Sequence, residues 1–340
     1  MNNLLRSLLK IQNRTRKNQG LSVSGFTMIE LMVGAILAFL IITPMLGFVI
    51  SILEDDNREG LKAITDQEVN SAVDYIAEDL NQARYIYDKD GLTKIQAELP
   101  TVDNGTPILV FWKRHLLTNS LPFNSKTQPK DCNDTTKPCN DAYVDALVAY
   151  YLVTNNQSNI WCNPTSNAGQ CPARIVRAEI RGALRNPRTG NEYPVADLND
   201  SQKKTLGFQA LQDDPKTWKK DPNTAYPANL AEVLVNYIDH NTVALPGDAT
   251  NEYCVNALGG ELTNLVTGDK KNDNILKIKT DSNSFVACVD SDRNIAHVAI
   301  RGNALRRKDA DAPYNANKSS FFPTATVKVQ GQSTPISSGS

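Results

Sequence analysis

The sequence predicts an α+β protein: a long N-terminal α-helix, membrane-spanning and then amphipathic, packed on an antiparallel β-sheet head with long loop insertions. Three observations support this prediction. An uncharged run of 23 residues extends from Leu31 to Leu53. From Glu54 to about Tyr87, apolar residues recur mostly three or four positions apart. Beyond Gly91, short β-prone runs follow one another without helical patterns between them, which favours an antiparallel sheet.

The uncharged run predicts a transmembrane helix over residues 26–53. At the rise of an α-helix, 23 residues span about 34 Å, which exceeds a hydrocarbon core of about 30 Å. Pro44 lies inside the run and removes one backbone hydrogen bond. We therefore expect a hinge at Pro44 and Gly47, with a proline that the membrane helix merely tolerates as the alternative.

Residues 1–25 are predicted to be a cytoplasmic leader peptide. They contain five basic residues and no acidic residue, and such a segment stays on the cytoplasmic side. The apolar run follows this segment, whereas in a secretory signal it precedes the cleavage site. Cleavage would thus leave a single-pass helix in the inner membrane, with the head in the periplasm.

The junction G-F-T-M-I-E-L at residues 25–31, behind the basic leader, resembles the class III signal of type IV prepilins and pseudopilins. The resemblance implies that prepilin peptidase cuts between Gly25 and Phe26 and methylates Phe26. It also implies that Glu30 pairs with the N-terminal amine of a neighbouring subunit. An unpaired acid at the edge of a membrane helix is costly, which fits such a partner. The alternative is a plain signal anchor.

Further resemblances narrow the family. The large, cysteine-containing head is similar to W-type minor pilins and J-type pseudopilins, whereas K-type pseudopilins lack the acid found at Glu30. The runs L-V-F-W-K-R and R-G-N-A-L-R-R resemble a cyanobacterial pseudopilin of hormogonium polysaccharide secretion. The resemblance implies a non-enzymatic subunit at the tip or base of a filament that supports secretion and gliding or twitching motility. The implied partners are prepilin peptidase, other minor and major pilins, the inner-membrane assembly platform and membrane lipid.

Charge argues against nucleic acid as a partner. The leader holds five of the 36 basic residues and none of the 37 acidic ones, so the remaining chain has a formal charge near −6. Binding to phosphates needs clustered cations. One basic cluster remains, Arg301 with Arg306 to Lys308, and we interpret it as a solvated strand end, with an anionic-ligand site as the alternative.

All six cysteines lie beyond the predicted membrane helix, where disulfides persist. The sequence leaves the pairing open; nearest-neighbour pairing joins Cys132 to Cys139, Cys162 to Cys171 and Cys254 to Cys288. Zinc is the competing interpretation. It is disfavoured because no C-x-x-C spacing occurs and because His115, His240 and His297 are scattered.

Residues 54–88 are predicted to continue as an amphipathic helix on the head, with Asp79 and four other acids mainly off its apolar face. The run Y-D-K-D-G at residues 87–91 predicts a turn rather than a calcium loop, because the distal glutamate is missing.

The β-rich head is predicted over residues 89–308. Its strands are expected at 108–112, 143–153, 174–181, 233–238, 285–289 and 295–300. Long polar stretches separate them, and one short helix is expected near 200–212. Residues 309–340 are rich in Ser, Ala, Asn and Pro and are predicted to be a flexible tail.

No catalytic motif occurs, so we predict no catalytic residue, no metal and no cofactor. Asp290 and Asp292 flank a predicted turn and are interpreted as solvated. The aromatic side chains could form a sugar-stacking platform, but core packing is the favoured interpretation; they are Trp112, Tyr150, Tyr151 and Trp161. Two other functions stay open: a tip adhesin whose head binds surface glycans or DNA, and a membrane-tethered enzyme.

Overall fold

A computed structural model describes residues 25, 27–123, 127–133, 137–154, 171–211, 214–239, 252–259, 284–309 and 312–332. It confirms the α+β class, with a long N-terminal helix, an antiparallel sheet of five strands and a second sheet of three. Helix α1 covers Met28–Asn81. The chain divides into two compact units, Met1–Asn57 and Arg58–Ser340, and each is described by itself.

The second half of α1 has one buried face, as its apolar spacing predicts. Val69, Ala72, Val73, Ile76 and Leu80 are all buried. The helix ends at Asn81, earlier than predicted. Residues Ala83–Ile86 form strand β1 instead, because the β-prone A-R-Y-I pairs with the strand that follows.

The five-stranded sheet is an antiparallel meander in the order β1-β2-β3-β4-β5. Its other strands contain the first four predicted ones. They are β2 (Gly105–Pro122), β3 (Cys139–Val153), β4 (Ala173–Arg181) and β5 (Ala231–Ile238). Strand β1 closes one edge. There the side chain of Asn294 accepts from the Ile86 amide and donates to the Ala83 carbonyl, at 3.0 Å each.

The second sheet contains β6 (Phe285–Asp290), β7 (Ile295–Arg301) and β8 (Thr324–Gln330) in that order. The prediction of a flexible tail over 309–340 is wrong for β8, which pairs with β7 over its whole length. The prediction rested on the polar composition of the region and overlooked the alternation of polar and apolar residues in T-A-T-V-K-V-Q. This alternation buries Ala325 and Val329. Residues 333–340 lie outside the described residues.

Two local predictions are also corrected. The predicted turn Y-D-K-D-G is the start of helix α2 (Lys89–Ile95), and Asp88 caps it by accepting from the Gly91 amide at 2.7 Å. The short helix expected near 200–212 is absent from residues 200–211, which form turns. There the side chains of Asn199 and Gln202 accept from each other's backbone amides, as at a helix start, but residues 200–211 do not continue as a helix.

Two large apolar cores and two smaller apolar clusters hold the described part of the head together. The larger core lies between the second half of α1 and one face of each sheet, and contains Ile76, Phe111 and Ile300. The second core covers the opposite face of the five-stranded sheet with Trp112 and Trp218. Gly302 allows the close approach of the second sheet to α1, since a Cβ there would lie 2.8 Å from Thr65 Cγ2 and 2.9 Å from Val69 Cγ2.

Disulfides join Cys132 to Cys139 and Cys254 to Cys288, which are two of the nearest-neighbour pairs. The second bridge ties helix α3 (Glu252–Leu258) to β6. Cys171 is also disulfide-bonded. Cys162 lies outside the described residues.

Candidate functional site

The first half of α1 exposes an apolar surface. Its large side chains are mostly half or more exposed, from Met28 at 94% to Leu53 at 58%. Within the described part of the chain, α1 is the one helix long and apolar enough to cross a membrane. The helix continues without interruption through Pro44 and Gly47. The Thr43 hydroxyl donates to the Phe39 carbonyl at 2.8 Å, a bond that often accompanies a bent helix.

Glu30 lies in the first turn of α1, directly after the predicted cleavage junction. The Glu30 amide donates to the Thr27 hydroxyl, and that hydroxyl donates to Glu30 Oε2, at 3.4 Å each. The T-x-x-E spacing therefore acts as an N-terminal cap, and a negative charge here suits the helix dipole. Gly25 has open space around it, and Phe26 lies outside the described residues.

A second acid of α1 has the opposite environment. Asp79, expected off the apolar face, is buried against the five-stranded sheet. Its carboxylate accepts from Lys113 Nζ, from the Tyr150 hydroxyl and from Arg177 Nε, at 2.7 Å each. The expectation was wrong because Asp79 lies three residues after the buried Ile76, on the same face.

The charge cluster extends across the sheet to Glu179 on β4. Glu179 Oε1 lies 2.6 Å from His115 Nδ1, and Glu179 Oε2 accepts from Arg177 and lies 3.6 Å from Lys113 Nζ. Each carboxylate oxygen of the two acids is thus engaged. Such a cluster is suited to holding α1 on the sheet, because it joins Asp79 of the helix to side chains of β2, β3 and β4. With their oxygens engaged in this way, the two acids are poorly placed for proton transfer to a ligand.

The pKa values of the two acids follow from this balance. Burial alone raises the pKa of a carboxyl group. At Asp79 the hydrogen bonds and charges of Arg177 and Lys113 outweigh burial and lower the pKa. At Glu179 the His115 hydrogen bond and the charges of Arg177 and Lys113 hold the pKa well below its usual range. Both acids are therefore charged when the head is folded.

The basic cluster after β7 is not a solvated strand end. Arg301 is 2% exposed, and its guanidinium lies 2.9 Å from Asp239 Oδ2. Arg306 Nε donates to the Ala312 carbonyl, and Arg307 bonds to Thr65 and Glu68 of α1. These arginines therefore connect loops to the helix and the core. Burial raises the pKa of Asp239, the partner of Arg301.

The aromatic residues pack in the cores, as favoured over a sugar platform. Trp112, Tyr150 and Tyr151 are each at most 2% exposed. The two tyrosines face opposite sides of β3, as adjacent strand residues must. Trp161 lies outside the described residues.

Asp290 is buried rather than solvated and accepts from Arg293 within the turn. Among the described residues, no group of three His, Cys, Asp or Glu side chains could hold a metal ion. His115 contacts Glu179, His297 contacts the Tyr253 hydroxyl at 3.1 Å, and His240 lies outside the described residues.

The buried and partly buried charges on β2 and β4 were missed by sequence reasoning, although a signal exists. In R-I-V-R-A-E-I-R the charged residues Arg177 and Glu179 are two apart, so they share one face of the strand. Lys113 and His115 have the same spacing on β2. Charges at alternate positions of two apolar strands indicate a paired cluster.

Comparisons with protein-family models, with curated proteins and with solved structures found no match to this chain.

Proposed function

We propose that this chain is a minor pilin or pseudopilin, a non-enzymatic subunit that primes or caps a type IV pilus-like filament. The observation that carries the proposal is the start of α1. There a basic leader, the junction Gly25-Phe26 and Glu30 directly precede an exposed apolar helix. An antiparallel head built on the second half of the same helix is compatible with a pilin-like fold.

The exposed apolar helix has two successive uses in this proposal. In the monomer it crosses the inner membrane, with the leader in the cytoplasm and the head in the periplasm. In the filament it packs against the helices of other subunits. The free amine of Phe26 and the carboxylate of Glu30 on a neighbouring subunit then form a pair that sets axial register. Leaving one buried charge alone costs about 3–5 kcal/mol, so correct register is favoured.

The size of the head suits a low-copy subunit near the filament tip. We therefore place the chain with the W-type minor pilins and J-type pseudopilins that it resembles. Its role would be to support secretion, polysaccharide included, together with motility. The saturated carboxylates of Asp79 and Glu179 give the enzyme alternative no support.

Processing tests the proposal directly. Co-expression with a prepilin peptidase should yield a chain that begins with N-methylated Phe26, measured by intact mass. Gly25→Ala should block the cut, because the resemblance implies that the peptidase requires glycine itself before the scissile bond. The matched control is Gly34→Ala, which lies inside the helix and should leave processing intact. Normal processing of the Gly25 variant, or a chain that begins at Met1, would contradict the assignment.

A further inference from the structure

A small surface pocket lies on the head where strands β1, β2 and β3 meet the loop after β4. Its volume is about 110 Å³. Arg84, Arg114 and Arg185 line it from three separate segments, and Tyr143 and Asp145 of β3 are also among its lining residues. Three guanidinium groups thus converge from positions that the sequence does not place together.

The three arginines are not equivalent. Arg84 Nη1 lies 2.8 Å from Asp145 Oδ1, so this acid neutralises it and holds it in place. Arg114 and Arg185 are exposed, and in the described part of the chain neither has a carboxylate within ion-pair distance. Glu192 also lines the pocket, and its backbone pairs with that of Arg185. Arg114 and Arg185 therefore remain available to an anionic group, and with Asp145 and Glu192 as lining acids the three arginines leave the pocket lining a net charge of +1.

The pocket's size and charge define the group that it can accept. Drug-sized ligands occupy pockets of about 300–1,000 Å³, so this pocket holds only one small charged group. Guanidinium groups bind carboxylates through paired, charge-assisted hydrogen bonds. A nucleic acid is a poor fit, because it needs cations at successive phosphates and the chain beyond the leader is acidic.

The remainder of the ligand must lie outside the pocket, against its rim. Tyr143 is 59% exposed there, and the Arg114 guanidinium lies 5.5 Å from its ring centroid. This cation–π contact orients the ring beside the charged group. An exposed ring with a polar hydroxyl offers both an apolar face and a hydrogen bond, which suits a sugar ring.

We propose that this pocket binds an acidic sugar residue of a polysaccharide, with Arg114 and Arg185 on its carboxylate and Tyr143 against its ring. The inference concerns the head alone and does not depend on the proposed function in filament assembly. Failure of the processing test therefore leaves it standing, and failure of the binding test leaves the filament proposal standing.

The test is titration calorimetry of the full chain in detergent micelles at physiological salt, with a galacturonate hexamer as the probe. The hexamer should bind, and its fully methyl-esterified form should not, because esterification removes the charge. The double variant Arg114→Gln/Arg185→Gln should weaken binding by roughly 10- to 100-fold, as expected for lost hydrogen bonds to a charged group. Tyr143→Ala should weaken the binding of the hexamer and not that of free acetate.

Arg188→Gln is the matched control. It removes one positive charge, half of what the double variant removes, from an exposed position three residues after Arg185 and outside the pocket lining. If Arg188→Gln weakened binding as much as the double variant, the overall positive charge of this region and not the pocket would explain the binding, and the proposal would be overturned. A peptide with a free C-terminal carboxylate is the second probe. If the peptide binds as tightly as the hexamer, and Tyr143→Ala changes the affinity for neither probe, the sugar assignment is wrong. Unchanged thermal unfolding of each variant verifies that the head stays folded.

Discussion

The two halves of helix α1 each hold an acid among apolar neighbours, and the two acids are bonded in opposite ways. Glu30 is exposed, and its one bonding partner among the described residues is Thr27 of its own first turn. Asp79 is buried and accepts from two cations and a tyrosine of the sheet. The difference teaches that burial alone does not define a role. Asp79 is satisfied within the fold, whereas Glu30 is free to pair with another molecule.

The largest effect is expected for Asp79→Ala. The change leaves the buried Lys113 and the partly buried Arg177 with one acid between them, and breaking a buried ion pair costs about 3–5 kcal/mol. Urea unfolding of the full chain in detergent, followed by tryptophan fluorescence, measures it. Asp74→Ala, an exposed acid on the same helix, should change the free energy of unfolding by less than about 0.5 kcal/mol. Equal costs for the two variants would show that the cluster does not stabilise the head.

Leu40→Arg should produce the next largest effect, on membrane insertion rather than on folding of the head. A charge near the centre of a membrane helix costs about 2.5–3.5 kcal/mol. The variant should therefore move from the membrane pellet to the soluble fraction after carbonate extraction. Ile64→Arg, at a 48% exposed apolar position in the second half of α1, should leave extraction unchanged. Retention of the Leu40 variant in the pellet would argue against a transmembrane first half.

Acid should destabilise the head through Asp79 and Glu179. Their folded pKa values lie below the ordinary values of 3.8 and 4.5. At a pH between the folded pKa and the ordinary pKa of each acid, the carboxylate is protonated in the unfolded chain but not in the folded head. The two acids therefore make their full contribution to the free energy of unfolding above about pH 5. This contribution is lost as the pH falls, with a slope of about 1.4 kcal/mol per pH unit for each acid. Unfolding at several pH values should give a shallower acid slope for Glu179→Gln and an unchanged slope for Asp74→Asn. Identical slopes would refute the assignment.

The smallest effect on stability is expected for Glu30→Ala, the counterpart of Asp79→Ala. Only the helix cap is lost, so unfolding of the head should change by less than about 0.5 kcal/mol. Processing should also continue, while assembly should fail because the amine of the neighbouring subunit loses its partner. A sheared-filament assay beside the unfolding curve separates the two results. Full assembly by this variant would exclude the pairing of Glu30 with an amine.

Sequence patterns with short periods were reliable guides to the fold. The apolar run from Leu31 to Leu53 and all six predicted strands are recovered as helix and strand. Such patterns depend on neighbours two to four residues away, which the sequence contains directly. Composition was a poorer guide, since the polar C-terminal region hid β8. Gly25, Phe26 and Glu30 lie within six consecutive residues, so the candidate processing site could be proposed from the sequence alone.

The sequence by itself thus determined the class of the fold, the apolar half of α1 and the motif that precedes it. The tertiary structure decided which charges are buried and what holds them. The partners of Asp79 lie 34, 71 and 98 residues away, and Arg307 reaches α1 across 239 residues. A local period puts side chains on one face of a single strand, but only the folded sheet brings the three strands together under α1. The convergence of Arg84, Arg114 and Arg185 at one pocket has the same cause.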